Sequence, residues 1–176
     1  MNKIEYTLIR SKRKGISLKI KKGRLVVCAP TNYSTKKLEE VIEQCRGWIE
    51  EQLGKVTEPP FTEEELAELT AKAKEYLPKR VAHFAAIIGV EYGRITIRKQ
   101  RTRWGSCSSK GNLNFNCLLM LAPEGVIDSV VIHELCHLKE MNHSKAFYEL
   151  VLKHCPFYHD HCGWLKGQGK TLMMRL

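Results

Sequence analysis

Apolar and polar positions alternate in short runs near the start of the chain: Thr7-Leu8-Ile9, Ile16-Ser17-Leu18-Lys19-Ile20 and Leu25-Val26-Val27-Cys28. Lys14-Gly15 and Lys22-Gly23 fall between them as turn dipeptides, so the pattern predicts three short antiparallel strands. From Ser34 the period changes. Leu38, Val41, Ile42, Cys45, Ile49 and Leu53 share one helical stripe, and Ser34 suits its cap. Glu58-Pro59-Pro60 then reads as a stop and a linker. It divides strands and a helix over 1–58 from a larger core over 59–176.

Thr62 followed by Glu65 is a capping-box pair and predicts a second helix reaching about Gly89, kinked or split at Pro78. Ile95-Thr96-Ile97-Arg98 reads as a strand. Asn112 to Leu119 reads as another, with Leu113, Phe115, Cys117 and Leu119 on one face and only Leu118 out of step. Pro123 suits the first position of a helix carrying Val126, Ile127, Val130 and Val131. Asn142 is a candidate left-handed stop, and Ser144 a cap for a further helix with Phe147, Leu150 and Val151 inward.

The helix after Pro123 ends in His133-Glu134-Leu135-Cys136-His137. Residues i and i+4 share a helix face, so His133 and His137 project together and can hold one zinc ion. Glu134 lies about 60° round the helix from His137. It is beside the ion without being an obvious ligand, the place of a general base that takes a proton from water. A chance match in a chain this long is on the order of one in a few hundred. A catalytic zinc takes a third protein ligand. His143, just past Asn142, is the preferred candidate, because the chain can turn back there. Glu149 and His154 are its rivals. Cys136 points away from the histidines.

Around this motif, Arg103 is a candidate for stabilising an oxyanion or a substrate charge, and Tyr148 and His154 are candidate oxyanion donors. Trp104 suits a core anchor. Asn114 and Asn116 share a face of the Asn112–Leu119 strand, which is the candidate platform for an extended substrate. The tail from His154 to Cys162 is rich in His and Cys, but its spacing matches no standard zinc module.

The chain has 176 residues and a formal net charge of +10. Nine Lys/Arg against one acid fall in residues 1–24, and six against none in 94–110. Such a basic N-terminal region predicts contact with a polyanion, nucleic acid or nucleotide. Seven scattered cysteines, an odd count, speak against a disulfide framework. With no apolar run of membrane length and no signal-peptide pattern, the expectation is a cytoplasmic protein with no membrane association.

Arg103-Trp104-Gly105-Ser106-Cys107-Ser108, Leu113-Asn114-Phe115-Asn116, Val131-Ile132-His133-Glu134-Leu135-Cys136-His137 and Met141-Asn142-His143-Ser144-Lys145-Ala146-Phe147 together resemble the YgjP-like metallopeptidase domain family. That family is related to the SprT and WLM zincin-like groups. The likeness extends to Ala29-Pro30 and Gly47-Trp48-Ile49 and so covers nearly the whole chain. It departs at Tyr148, where the family usually has Trp.

The resemblance implies an α+β fold: a zincin-like core in which an antiparallel sheet packs on the active-site helix, after an N-terminal strand-rich and helical extension. It also implies one zinc ion held by His133, His137 and His143, with Glu134 catalytic, acting on a peptide or protein substrate. The family further carries a nucleoside-triphosphate pyrophosphatase assignment, which the Lys/Arg-rich surroundings suit. No Gly-rich phosphate loop or carboxylate pair for magnesium accompanies it. The SprT and WLM likeness implies a third possibility, a protease that works beside nucleic acid.

Overall fold

The computed structural model describes residues 4–21, 23–54 and 58–176. The chain divides into two compact units, Met1–Pro60 with Met174–Leu176, and Phe61–Met173. Both mix strands and helices, the expected α+β class. Among the described residues no helix is long and apolar enough to cross a membrane.

The first unit holds β1 (Tyr6–Ser11), β2 (Ser17–Lys21), β3 (Arg24–Pro30), α1 (Thr35–Gln44) and α2 (Arg46–Gly54). The expected all-antiparallel order is wrong. β3 lies in the centre, antiparallel to β2 but parallel to β1. Alternation within a strand sets its faces, not its partners. The Lys12–Ile16 connection has only to cross about 10 Å, two strand spacings, to carry the chain past β3. The continuous apolar run Leu25-Val26-Val27 is fully or nearly buried, as a central strand should be. Lys22 of the expected hairpin turn lies outside the described residues, and its partner Gly23 has φ 67, a conformation that favours glycine.

The expected single helix breaks at Cys45, between α1 and α2. The stripe survives the break: Leu38, Ile42 and Ile49 close on Leu25, Val27 and Ala29 to form this unit's core. Arg10 reaches across from β1, donating to the carbonyls of Pro30, Thr31 and Tyr33 at 3.2, 3.0 and 2.8 Å. It ties the end of β3 to the start of α1.

The second unit opens with α3 (Glu63–Ile88), where Thr62 and Glu65 form the expected capping box and Gly89 closes the helix at φ 71. Pro78 neither splits nor ends it. Leu66, Leu69, Ala73, Leu77, Val81, Ala85 and Ile88 form one buried stripe on both sides of the proline. Burial of that stripe outweighs the one backbone bond that Pro78 cannot donate.

A second sheet follows, ordered β4 (Ile95–Arg98), β6 (Leu113–Asn116), β5 (Gly105–Cys107). It is mixed rather than antiparallel, since β4 runs parallel to β6. β6 is half the expected length. The Asn116 side chain accepts the Leu118 N–H at 3.2 Å and caps a 3-10 turn over Cys117–Leu121, so Leu118 is buried with Cys117 and Leu119. The residue that broke the alternation marks where the strand ends.

α4 (Glu124–Cys136), α5 (Lys145–His154), α6 (Tyr158–Lys166) and α7 (Gln168–Met174) complete the chain. α4 packs against α3, α5, α6 and β5. Nine of its thirteen residues are buried, the all-round burial of a central helix. Arg80 of α3 grips Asp128 of α4 through two bonds, Nε at 2.8 and Nη2 at 2.6 Å, and its guanidinium lies 5.1 Å from the Phe84 ring. Both partners of this pair are shielded, so it should outweigh an ordinary surface bridge. Asp128→Ala is expected to cost about 1–3 kcal/mol, seen as a lower midpoint in urea unfolding. An unchanged midpoint would refute the role given to the pair.

Candidate metal centre

The site begins at the end of α4. His133 and Glu134 sit in its last turn, and His137 is its cap. The helix stops there, five residues before the expected Asn142. Lys139 and Glu140 both donate their N–H groups to the Cys136 carbonyl and wind the chain off the axis. The segment returns, and Ser144 caps α5 by accepting the Phe147 N–H at 3.2 Å. His143, just before that cap, is thereby brought back over α4.

His133 Nε2 lies 3.2 Å from both His137 Nε2 and His143 Nε2. These three residues form the one cluster of metal-ligating type among the described residues. The rivals fall away: Glu149 lies 3.6 Å from Lys145 in an exposed ion pair, and His154 is outside the cluster.

The other ring nitrogens decide the chemistry. His137 Nδ1 lies 3.1 Å from the Glu140 carbonyl, which can only accept, so Nδ1 carries the proton. His133 Nδ1 lies 2.8 Å from the Tyr158 hydroxyl. That hydroxyl is bonded in turn to Cys162, and burial first of all raises its pKa, so it stays protonated. With the Tyr158 proton turned to Cys162, the His133 Nδ1–H donates to Tyr158. Both Nε2 atoms then carry lone pairs that point at each other.

Burial, and then His137 and His143, push the His133 pKa down to about 4, and burial lowers that of His137, so both rings are neutral near pH 7. In that tautomer the two lone pairs face each other at 3.2 Å, and a cation between them would relieve their repulsion. Zinc–nitrogen bonds of ~2.1 Å at the tetrahedral angle put ligand nitrogens about 3.4 Å apart. Two of the three separations are close to that value and all three ligand atoms lie within 4.8 Å of one another, a donor set that suits a zinc-sized ion.

One buried ring supports all three histidines. Phe147 of α5, fully buried, has its centroid 4.9, 4.5 and 4.9 Å from those of His133, His137 and His143. The Tyr158 ring stacks on His133 at 5.8 Å with planes 10° apart.

Glu134 is only 5% exposed. Burial pushes its carboxyl up to about 8, against the pull of Arg103 and a hydrogen bond from the Cys107 backbone N–H. It lies directly over Gly105. A Cβ there would come within 2.5 Å of Glu134 Oε1 and 2.7 Å of its Cγ. Gly105 is thus the residue that lets β5 approach the carboxylate.

Arg103 is exposed but close enough to act on Glu134 electrostatically. Tyr148 is 38% exposed, its ring 6.1 Å from that of His143. Those two candidates join the site and the asparagines do not. Asn116 is 1% exposed and spends its amide on the carbonyls of Gln100 and Arg103, holding the loop before β5. Asn114 bonds Ser106 across the sheet at 3.2 Å. Their strand also fails as a platform, because β6 has β4 and β5 on its two sides, and the edge strand beside α4 is β5.

The tail residues form no second cluster of three ligands among the described residues. Cys155 Sγ lies 3.6 Å from His161 Nδ1, and the tail's link to the centre is Tyr158. Sequence reasoning passed over Tyr158, because nothing in its spacing from His133 encodes the contact. Trp104 is half-buried rather than part of the core, beside Trp164 at 6.4 Å and close over Gly169.

A partner that holds the far nitrogen of a metal-ligating histidine typically contributes 10–100-fold in affinity. Tyr158→Phe keeps the ring stack and removes the acceptor. It is expected to weaken zinc binding by about that factor, measured by competition with a chromophoric chelator. Wild-type affinity in that variant would show that the bond does not set the ligand.

A model of the YgjP-like, metallopeptidase domain family matches residues 63–168. A UTP pyrophosphatase of Escherichia coli (strain K12) is 39% identical over 60 residues, which are 34% of this chain and 36% of that protein. The match thus spans about a third of that relative's length. Two solved structures, both crystal structures of metallopeptidase zymogens, are also similar. Pyrococcus abyssi abylysin has a TM-score of 0.45 and 23% identity, covering 52% of this chain and 94% of its own. Methanocaldococcus jannaschii jannalysin has 0.42 and 20%, covering 51% and 88%. The family match takes in more than half of the residues, all three histidines and Glu134, and the chain belongs to the YgjP-like metallopeptidase domain family.

Proposed function

We propose that this protein is a zinc-dependent peptidase, with His133, His137 and His143 holding the ion and Glu134 acting as general base. The observation that carries this reading is the meeting of three Nε2 atoms beside a buried carboxylate. A zinc ion bound there would supply Lewis acidity, polarising a carbonyl and making water more acidic.

The protein's own groups do the rest. Glu134 would be ionised once a cation beside it offsets the upward pull of burial; held by the Cys107 N–H, it then takes the proton of the attacking water and passes it to the departing amine. Arg103, which acts on Glu134, and Tyr148, whose ring neighbours His143, are the groups we assign to meet the negative charge that grows on the substrate carbonyl. The edge of β5 beside Glu134 suits an extended peptide held by its backbone.

A second reading, hydrolysis of a nucleoside triphosphate, is favoured by the partial likeness to the UTP pyrophosphatase and by the basic stretch Arg98, Lys99, Arg101, Arg103 ahead of β5. Contact of the basic N-terminal region with a polyanion belongs to the same line of argument.

The deciding experiment presents unfolded protein and UTP separately to the zinc-loaded enzyme and to Glu134→Gln. Peptide-bond cleavage that falls at least a thousandfold in the variant, with one zinc per chain retained, is the expected result. UTP hydrolysis without proteolysis, lost in the same variant, would replace the first reading with the second. Gly105→Ala should keep the zinc and lower kcat by about a hundredfold, because it displaces the carboxylate by roughly an ångström. Full activity in Gly105→Ala would mean that Glu134 does not work from the position described.

A further inference from the structure

A cavity of about 150 Å³ opens beside Glu134. Trp104 and Gly105 line it from the β5 side, Ser129, Val130, His133 and Glu134 from α4, and Tyr158, Cys162 and Leu165 from α6. The helical spacings show that it is built from whole faces. On α4 the four residues are two adjacent pairs one turn apart, so the cavity lies on the catalytic face, about 6 Å toward the helix start from His133. On α6 the intervals of four and three define a single stripe.

The hydroxyls that line it are already engaged. Ser129 Oγ donates to the Val126 carbonyl at 2.8 Å, and Tyr158 is bonded to His133 and Cys162. The buried polar side-chain atoms without a partner among the described residues, Arg13 Nε and Ser17 Oγ, are elsewhere. Beyond the catalytic His133 and Glu134 no charge faces the space. A polar side chain entering it would lose water for few free partners, whereas an apolar one would gain by burial against Val130 and Leu165.

We propose that this cavity receives one apolar side chain of a polypeptide substrate, next to the scissile bond, and that Leu165 sets the upper limit on its size. The proposal rests on the peptidase reading and narrows its substrate class. Apolar cavities of about this volume take up a molecule the size of benzene, so leucine, methionine and phenylalanine fit, and tryptophan does not. The reach agrees as well, since a side chain leaving the chain near Glu134 covers the single helical turn to Ser129.

The test is to map cleavage sites by mass spectrometry in a reduced, unfolded protein digested by the zinc-loaded enzyme. Leucine, methionine or phenylalanine is expected at one fixed position flanking the cut, favoured at least tenfold over charged residues. Leu165→Trp should shift that position toward alanine and valine, and Leu165→Ala should admit tryptophan. Zinc content and melting curves of both variants establish that they are folded. Cleavage without an apolar preference, or with the same profile in both folded variants, would overturn the pocket and leave the peptidase reading intact. No cleavage at all by the zinc-loaded wild type would overturn that reading, and the pocket's assignment with it.

Discussion

Helix α4 has no solvent face from its third residue on: from Val126 to His137 not one residue is exposed. Everything at the metal centre depends on that. A carboxylate in such a helix cannot relax into water, so Glu134 takes its partners from β5, the Cys107 N–H and the open space over Gly105. Two imidazoles in the same helix cannot swing away either. Their orientation is set by the Glu140 carbonyl, by Tyr158 and by the Phe147 ring beneath them. The cost of burying these groups is met by packing around the helix and by the Arg80–Asp128 pair on its far side.

The sequence was most informative where chemistry follows from local geometry. Two histidines four apart on a helix must share a face, whatever the rest of the fold does, and the Thr62–Glu65 capping box is equally local. His143 was legible for a related reason, since a short return from His137 limits where its ring can go.

What stayed hidden was non-local. Alternation could not reveal that β1 runs parallel to β3, or that β6 is flanked on both sides, because a strand's own residues set its faces and not its place in the sheet. That misplacement put Asn114 and Asn116 in the wrong role. The Tyr158–His133 bond joins residues 25 apart in sequence, and no periodicity connects them. Gly105 looked like one glycine among several until the Glu134 side chain was seen above it.

The rings of His133, His137 and His143 all rest on Phe147, and these residues come from three separate stretches of chain: the end of α4, the segment after it, and α5. An ion held by the three histidines would pin the six-residue return from His137 to His143. Binding the folded chain and not the unfolded one, it would add stability that grows with its affinity and concentration. Catalysis and local durability would then share one component. A site kept for its reactivity would also fasten α5 to α4, and the segment from His137 to His143 would be held in the fold only as firmly as the ion itself is held.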